Sequence, residues 1–75
     1  MVTGYMQELP VDFNNCDEDG AVRLVTRGTL DFITSSSLKL SSGQVVTMTD
    51  GELRAEGVLS RRGGIWVATI HRWLD

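Results

Sequence analysis

One cysteine, one histidine and one proline occur among the 75 residues, and each scarcity removes a class of protein. Cys16 has no second thiol in the chain, which excludes an intrachain disulfide framework of the kind found in small secreted domains. A free thiol fits a reducing, cytoplasmic setting. Cys16 and His71 supply two ligands, too few for a structural zinc centre built from Cys and His side chains. No metal or cofactor is therefore expected. No apolar run approaches the ~18 residues of a membrane span. The opening Met1-Val2-Thr3-Gly4-Tyr5 has neither the basic segment nor the apolar run of a signal peptide.

Basic residues are also few. Seven Lys and Arg stand against ten Asp and Glu, for a net charge of -3. A generic phosphate-binding surface needs a cationic excess, because each neutralised phosphate takes its own cation. Nucleic acid is accordingly not the expected partner. The charge is unevenly spread. Residues 1–20 contain Glu8, Asp12, Asp17, Glu18 and Asp19 with no Lys or Arg, whereas all seven basic residues lie beyond position 20.

What is present is globular in composition, with 41% hydrophobic and 23% charged residues. A chain of 8.3 kDa hides roughly 60% of its unfolded surface, enough for one small core and too little for a deep pocket beside it. A single small β domain over residues 1–75 is expected. Val and Thr supply fifteen residues, and a branched Cβ packs well on a pleated surface.

Leu9 to Phe13 reads as a short strand with Leu9, Val11 and Phe13 on one face, and Pro10 requires an edge or a strand start. Asn14 to Gly20 reads as a polar turn. Val22, Leu24 and Thr26 alternate with Arg23, Val25 and Arg27 as a second strand ending before Gly28. Segment 29–37 supports two readings, a strand with Leu30, Phe32 and Thr34 on one face or a short helical or 3₁₀ turn. The helical turn is the favoured one, with Thr29 as its cap and Asp31 in its first turn. A brief extended piece, Leu38-Lys39-Leu40, follows it. Val45–Thr49 is a strand with Val46 and Met48 on one side.

Asp50-Gly51 is the strongest hairpin signal, because both positions tolerate positive φ. It predicts that Met48 faces Leu53 across a tight turn. Leu53, Ala55, Gly57 and Leu59 alternate along the next strand, and Gly57 within it suggests a bend or bulge. Arg61-Arg62-Gly63-Gly64 reads as a second turn. In the last strand Ile65, Val67, Thr69, His71 and Trp73 occupy one side, and Trp66, Ala68, Ile70 and Arg72 the other. The expected fold is mainly β: a small SH3-like barrel or meander of four to five antiparallel strands, with one short helical turn at 29–37. Closing such a sheet protects its edges.

Asn15 to Gly20 places oxygen side chains at positions 1, 3 and 5 with Gly at 6, like the first half of a calcium loop. Arg23 and Thr26 then stand at positions 9 and 12, where the loop needs a ligand and a bidentate acid. A hairpin turn whose Asn and Asp side chains bind their own backbone is the simpler reading. His71 has the pKa range of a general base and needs an orienting acid, for which Asp50, Glu52 and Glu56 are nearest by strand order. Cys16 is surrounded in sequence by acids that oppose a thiolate. No Walker loop, dinucleotide fingerprint or HExxH pattern occurs, and the chain is expected to be non-enzymatic.

Arg61, Arg62, Trp66, Arg72 and Trp73 remain, with Arg54 beside them. Arg and Trp are enriched at binding hot spots because each combines large contact area with a defined polar handle. The group points to a protein partner or to self-association. Three alternatives stand behind it: a structural subunit or homo-oligomer building block, a single-stranded RNA-binding module whose tryptophans stack bases, and a small enzyme or weak calcium-binding domain.

Overall fold

Alternation between apolar and polar residues is cleanest over residues 54–60, and this stretch forms the centre of the sheet. A computed structural model describes residues 8–74. Its elements are β1 (Glu8–Pro10), β2 (Val22–Arg23), α1 (Arg27–Ser35), β3 (Val45–Thr49), β4 (Arg54–Arg62) and β5 (Ile65–Trp73). The five strands lie in the order β1-β3-β4-β5-β2. The result is a small, mainly β domain, a curled half-barrel of SH3-like meander type with one short helix. The β3–β4, β4–β5 and β5–β2 pairs are antiparallel, while β1 runs parallel to β3, Leu9 opposite Met48. Pro10 closes β1 on the sheet edge, where its missing N–H breaks no central ladder.

One face of the sheet forms the core. Leu9, Val22, Val46, Met48, Ala55, Leu59 and Ala68 are buried there together with Val11 and Leu24. Phe13, Phe32, Ile33, Leu38, Leu40, Trp66 and Ile70 pack around them, partly buried.

The helix begins earlier than the sequence suggests. Thr26, not Thr29, is the N-cap, and its hydroxyl accepts from the Thr29 N–H at 3.3 Å. The second strand is thereby cut to Val22–Arg23, and Gly28 lies inside the helix. Asp31 falls beyond the first turn, where a carboxylate gains little from the helix dipole. Thr29 is fully buried instead. Its hydroxyl contacts Thr26 Oγ1 at 2.7 Å and donates to the Pro10 carbonyl, tying the helix to β1. The serine run ends the helix. Ser37 adopts φ 54°, Ser37 N–H donates to Thr34 O at 3.2 Å, and Leu38 N–H donates to Ile33 O at 3.1 Å. This is a Schellman cap, with Ile33 and Leu38 both packed on the core. Leu38–Leu40 continues as irregular chain and not as an extended strand.

Both hairpins form, each differing from expectation by a small shift. Asp50 to Leu53 makes a four-residue loop, so Met48 faces Ala55 and Thr49 faces Arg54. The Asp50 carboxylate accepts from the Glu52 and Leu53 N–H groups, both at 2.9 Å, and this stabilises the longer loop. A two-residue slip preserves which side chains face inward, so the core alternation is unaffected. At the other end the turn is Gly63-Gly64 alone. Both have positive φ, 59° and 87°, as a two-residue I′ turn requires. Arg61 and Arg62 therefore belong to β4, facing Trp66 and Ile65.

The main departure is in β5. Gly57 faces Ile70 and Glu56 faces Arg72, which leaves His71 as an extra residue in a β-bulge. The bulge resets the alternation. Trp73 lies opposite Ala55, on the core side with Ala68 and Ile70, and not on the side of Val67.

Candidate functional site

The bulge at His71 organises two features on opposite faces of one sheet end. Two residues of a bulged strand oppose one residue of its partner, and here His71 and Arg72 oppose Glu56. All three meet at a single oxygen. His71 Nε2 donates to Glu56 Oε1 at 2.8 Å, and Arg72 Nε donates to the same atom at 3.1 Å. Next to this cluster Arg54 pairs with Glu8 at 3.3 Å. Of the three acids considered as partners for His71, Glu56 is the one placed there. His71 thus has an orienting carboxylate, yet Arg72 shares it.

On the core side, Trp73 stands edge-to-face with Phe13, ring centroids 4.9 Å apart at 62°. Trp73 is 50% exposed. Phe13 is not in a strand; it sits in the turn after β1, where Cys16 Sγ donates to its carbonyl at 3.1 Å. Val11 N–H donates to Thr49 O at 2.9 Å, which brings this turn to the β3–β4 loop. Leu53, 45% exposed, lies in the β3–β4 loop at the same sheet end. Alternation assigns Phe13 and Leu53 to strands, whereas Phe13 is partly buried in a turn and Leu53 is exposed in a loop. An aromatic directly before Asn14-Asn15, a turn pair, is the signal that would have moved Phe13 to the rim.

The five residues singled out by sequence do not form one patch. Trp66 and Trp73 lie seven positions apart on β5, roughly 23 Å at about 3.3 Å per residue. Arg61 lies over the Trp66 ring, 5.2 Å from its centroid, and donates to Gly64 O at 3.0 Å. Arg62 points to the opposite face and bridges Asp17 at 2.9 Å and Asp19 at 2.7 Å. The acidic segment and the arginine-rich hairpin are thus paired within the chain and do not form opposed poles. Arg72 and Trp73 occupy the far end, on different faces.

The acidic turn uses its oxygens internally. Asn15 Oδ1 accepts from Arg23 at 3.1 Å, and Asp17 Oδ1 accepts from the Asp19 and Ala21 N–H groups at 2.9 and 3.0 Å. The Ala21 N–H bond foremost, against some desolvation and with help from Asp19 N–H and the Arg62 charge, holds the Asp17 carboxyl below the usual carboxylate range. Asp50 is lowered likewise by the Leu53 and Glu52 N–H groups. Among the described residues no group of three or more His, Cys, Asp or Glu is arranged to hold a metal ion. Nor is any described helix long and apolar enough to cross a membrane.

No protein-family model, no curated protein and no solved structure matches this chain.

Proposed function

We propose that the protein is a small, non-enzymatic interaction module that binds a protein partner through the sheet end carrying Trp73. The observation that carries this reading is the half-exposed Trp73 ring held edge-on by Phe13. A tryptophan fixed in one orientation before binding loses little side-chain freedom on contact, which is what makes aromatic anchors dominate interfaces. Exposed Leu53 lies at the same sheet end, and Arg72, 64% exposed, is engaged with Glu56 on the opposite face. Of the sequence-derived residues, Trp73 carries the proposal. Arg61, Arg62 and Trp66 are assigned to holding the opposite hairpin, because both guanidinium groups are engaged within the chain and the Trp66 ring packs on the core beneath Arg61. The arginine over the Trp66 ring also covers a face that a stacked RNA base would need.

The enzyme alternative lacks support in the geometry. His71 shares its carboxylate with an arginine, and the Cys16 thiol is directed at a backbone carbonyl in a different turn. A cytoplasmic location is proposed on the single free thiol. Self-association through the same end is the second form of the proposal, since Trp73 and Leu53 would then cover each other's copies.

The test is a cross-linked capture with the tagged chain, comparing wild type, W73A and W66A, alongside light scattering of each. Loss of a captured partner or of dimer mass in W73A alone supports the proposal. Equal capture by W73A and wild type removes this end from consideration.

A further inference from the structure

The apolar end of the sheet has an electrostatic character that defines its partner. Asp12 immediately precedes Phe13, and the Val11–Thr49 hydrogen bond sets that turn beside the β3–β4 loop. The loop carries Asp50 and Glu52, both exposed. Leu53 leads from it into Arg54, whose carbonyl accepts from Leu74 N–H at 2.8 Å, next to Trp73. Asp12, Asp50 and Glu52 thus lie on the two chain segments that flank Phe13, Leu53 and Trp73 at this sheet end.

The basic residues at this end are already matched. Arg54 is paired with Glu8, and Arg72 and His71 converge on Glu56. Five acids face two arginines in this region, and Asp12, Asp50 and Glu52 have no cationic partner among the described residues. Their carboxylates accept only from neighbouring backbone, Asp12 from Asn14 N–H and Asp50 from Glu52 and Leu53 N–H, where they accept at all. Beside them, the two aromatic planes meet at 62° and leave Trp73 half open. An aromatic face carries negative electrostatic potential, so a cation placed over it is attracted, and more so where carboxylates surround it.

Resting on the reading of this end as a protein-binding surface, we infer that its partner is a basic protein segment: a Lys or Arg side chain lies over Trp73, an adjacent apolar residue covers Leu53, and further basic residues face Asp12, Asp50 and Glu52. The whole-chain charge of -3 acts in the same direction by steering a cationic segment toward the molecule. An acidic partner would meet three uncompensated carboxylates, and a wholly apolar one would strand them at its boundary.

The experiment uses the full 75-residue chain and two labelled synthetic peptides, read by fluorescence anisotropy. One alternates Lys and Arg with Leu; the other has Glu at every basic position. The expected result is saturable binding of the basic peptide only, weakened by added salt. W73A should lower its affinity by about tenfold or more, as loss of an aromatic anchor does. D12N combined with E52Q leaves the aromatic pair and the Asp50 turn intact, and should weaken binding several-fold while flattening the salt dependence. Equal binding of both peptides, or an unchanged affinity in both variants, overturns the inference. Absence of basic-peptide binding overturns it too. If W73A nonetheless loses its captured protein in that case, the binding surface stands and only the assigned partner chemistry falls.

Discussion

The carbonyl oxygen of Thr69 stands 2.9 Å from the position a Cβ on Gly57 would occupy, and Met48 Cε stands 2.8 Å from it. Real Cβ atoms do not approach backbone oxygen so closely. The methionine tip can swing away, but the carbonyl belongs to β5 just before the bulge and cannot retreat without shifting the strand. Gly57 thus allows β4 and β5 to approach where the pairing changes register. G57A should destabilise the fold by about 1–3 kcal/mol, the range for overpacking a close contact. A urea melt reads this directly, and an unchanged midpoint would show that β5 shifts freely.

Thr29 makes a comparable link between helix and sheet. Its buried hydroxyl donates to the Pro10 carbonyl nineteen residues away. T29V keeps the shape but leaves that carbonyl without its donor, at a cost of about 1–3 kcal/mol. T26A removes the N-cap acceptor and should cost about 1 kcal/mol. Thermal melts of both variants measure the two effects, and T29V should be the more damaging. A T29V melt matching wild type would remove the link from the account.

These two contacts mark the boundary of what the sequence discloses. The strand positions follow from alternation, and Asp50-Gly51 and Gly63-Gly64 locate the turns because few residues accept positive φ. Gly57 signals an irregularity without saying which strand bears it. The extra residue at His71 leaves no mark, since Thr69 to Trp73 reads as one regular strand in either register. Missing it assigns Trp73 to the wrong face, and with it half of the candidate site. The parallel pairing of β1 with β3 depends on where the intervening chain of 34 residues returns, as does the closure of Phe13 on Trp73 across 60 positions. The Arg62 pairing with Asp17 and Asp19 spans 45 and 43 positions. Local pattern cannot specify such meetings; the collapsed core does.

Arg62 supplies a prediction of its own. R62E converts two attractive pairs with Asp17 and Asp19 into repulsive ones, whereas R61E removes a stacked cation and one exposed hydrogen bond to Gly64 O. R62E should destabilise by about 1 kcal/mol, more at low salt than at high, because the arginine and Asp19 are well exposed. R61E should have a smaller effect. Denaturant melts at two salt concentrations test the ordering, and equal stability of the two variants would contradict the bridging role.

The two lowered carboxyls fix the sign of the acid response. Asp17 and Asp50 both titrate below the ordinary aspartate value of 3.8 in the folded chain. Their stabilising contribution is fully present above that unfolded value and disappears as pH falls through the folded values. The contribution of these groups to melting temperature should therefore be constant between about pH 5 and 7 and should fall away below about pH 4. In D17N the side-chain oxygen still accepts from Ala21 N–H, yet the titration is gone. Its melting temperature should decline less steeply below about pH 4 than that of wild type. A D17N acid limb parallel to wild type would show that the turn contributes nothing to acid sensitivity.

The assignment of function to the Trp73 end, and not to the arginine-bearing hairpin, is tested most directly by the two tryptophan indole N–H signals of the 15N-labelled chain. The titrant is the protein recovered by cross-linked capture, added stepwise at physiological salt. The Trp73 indole signal is expected to shift or broaden in proportion to bound fraction while the Trp66 signal stays in place. Movement of Trp66 with Trp73 unchanged would contradict this assignment, and would return the binding surface to Arg61 and its neighbours.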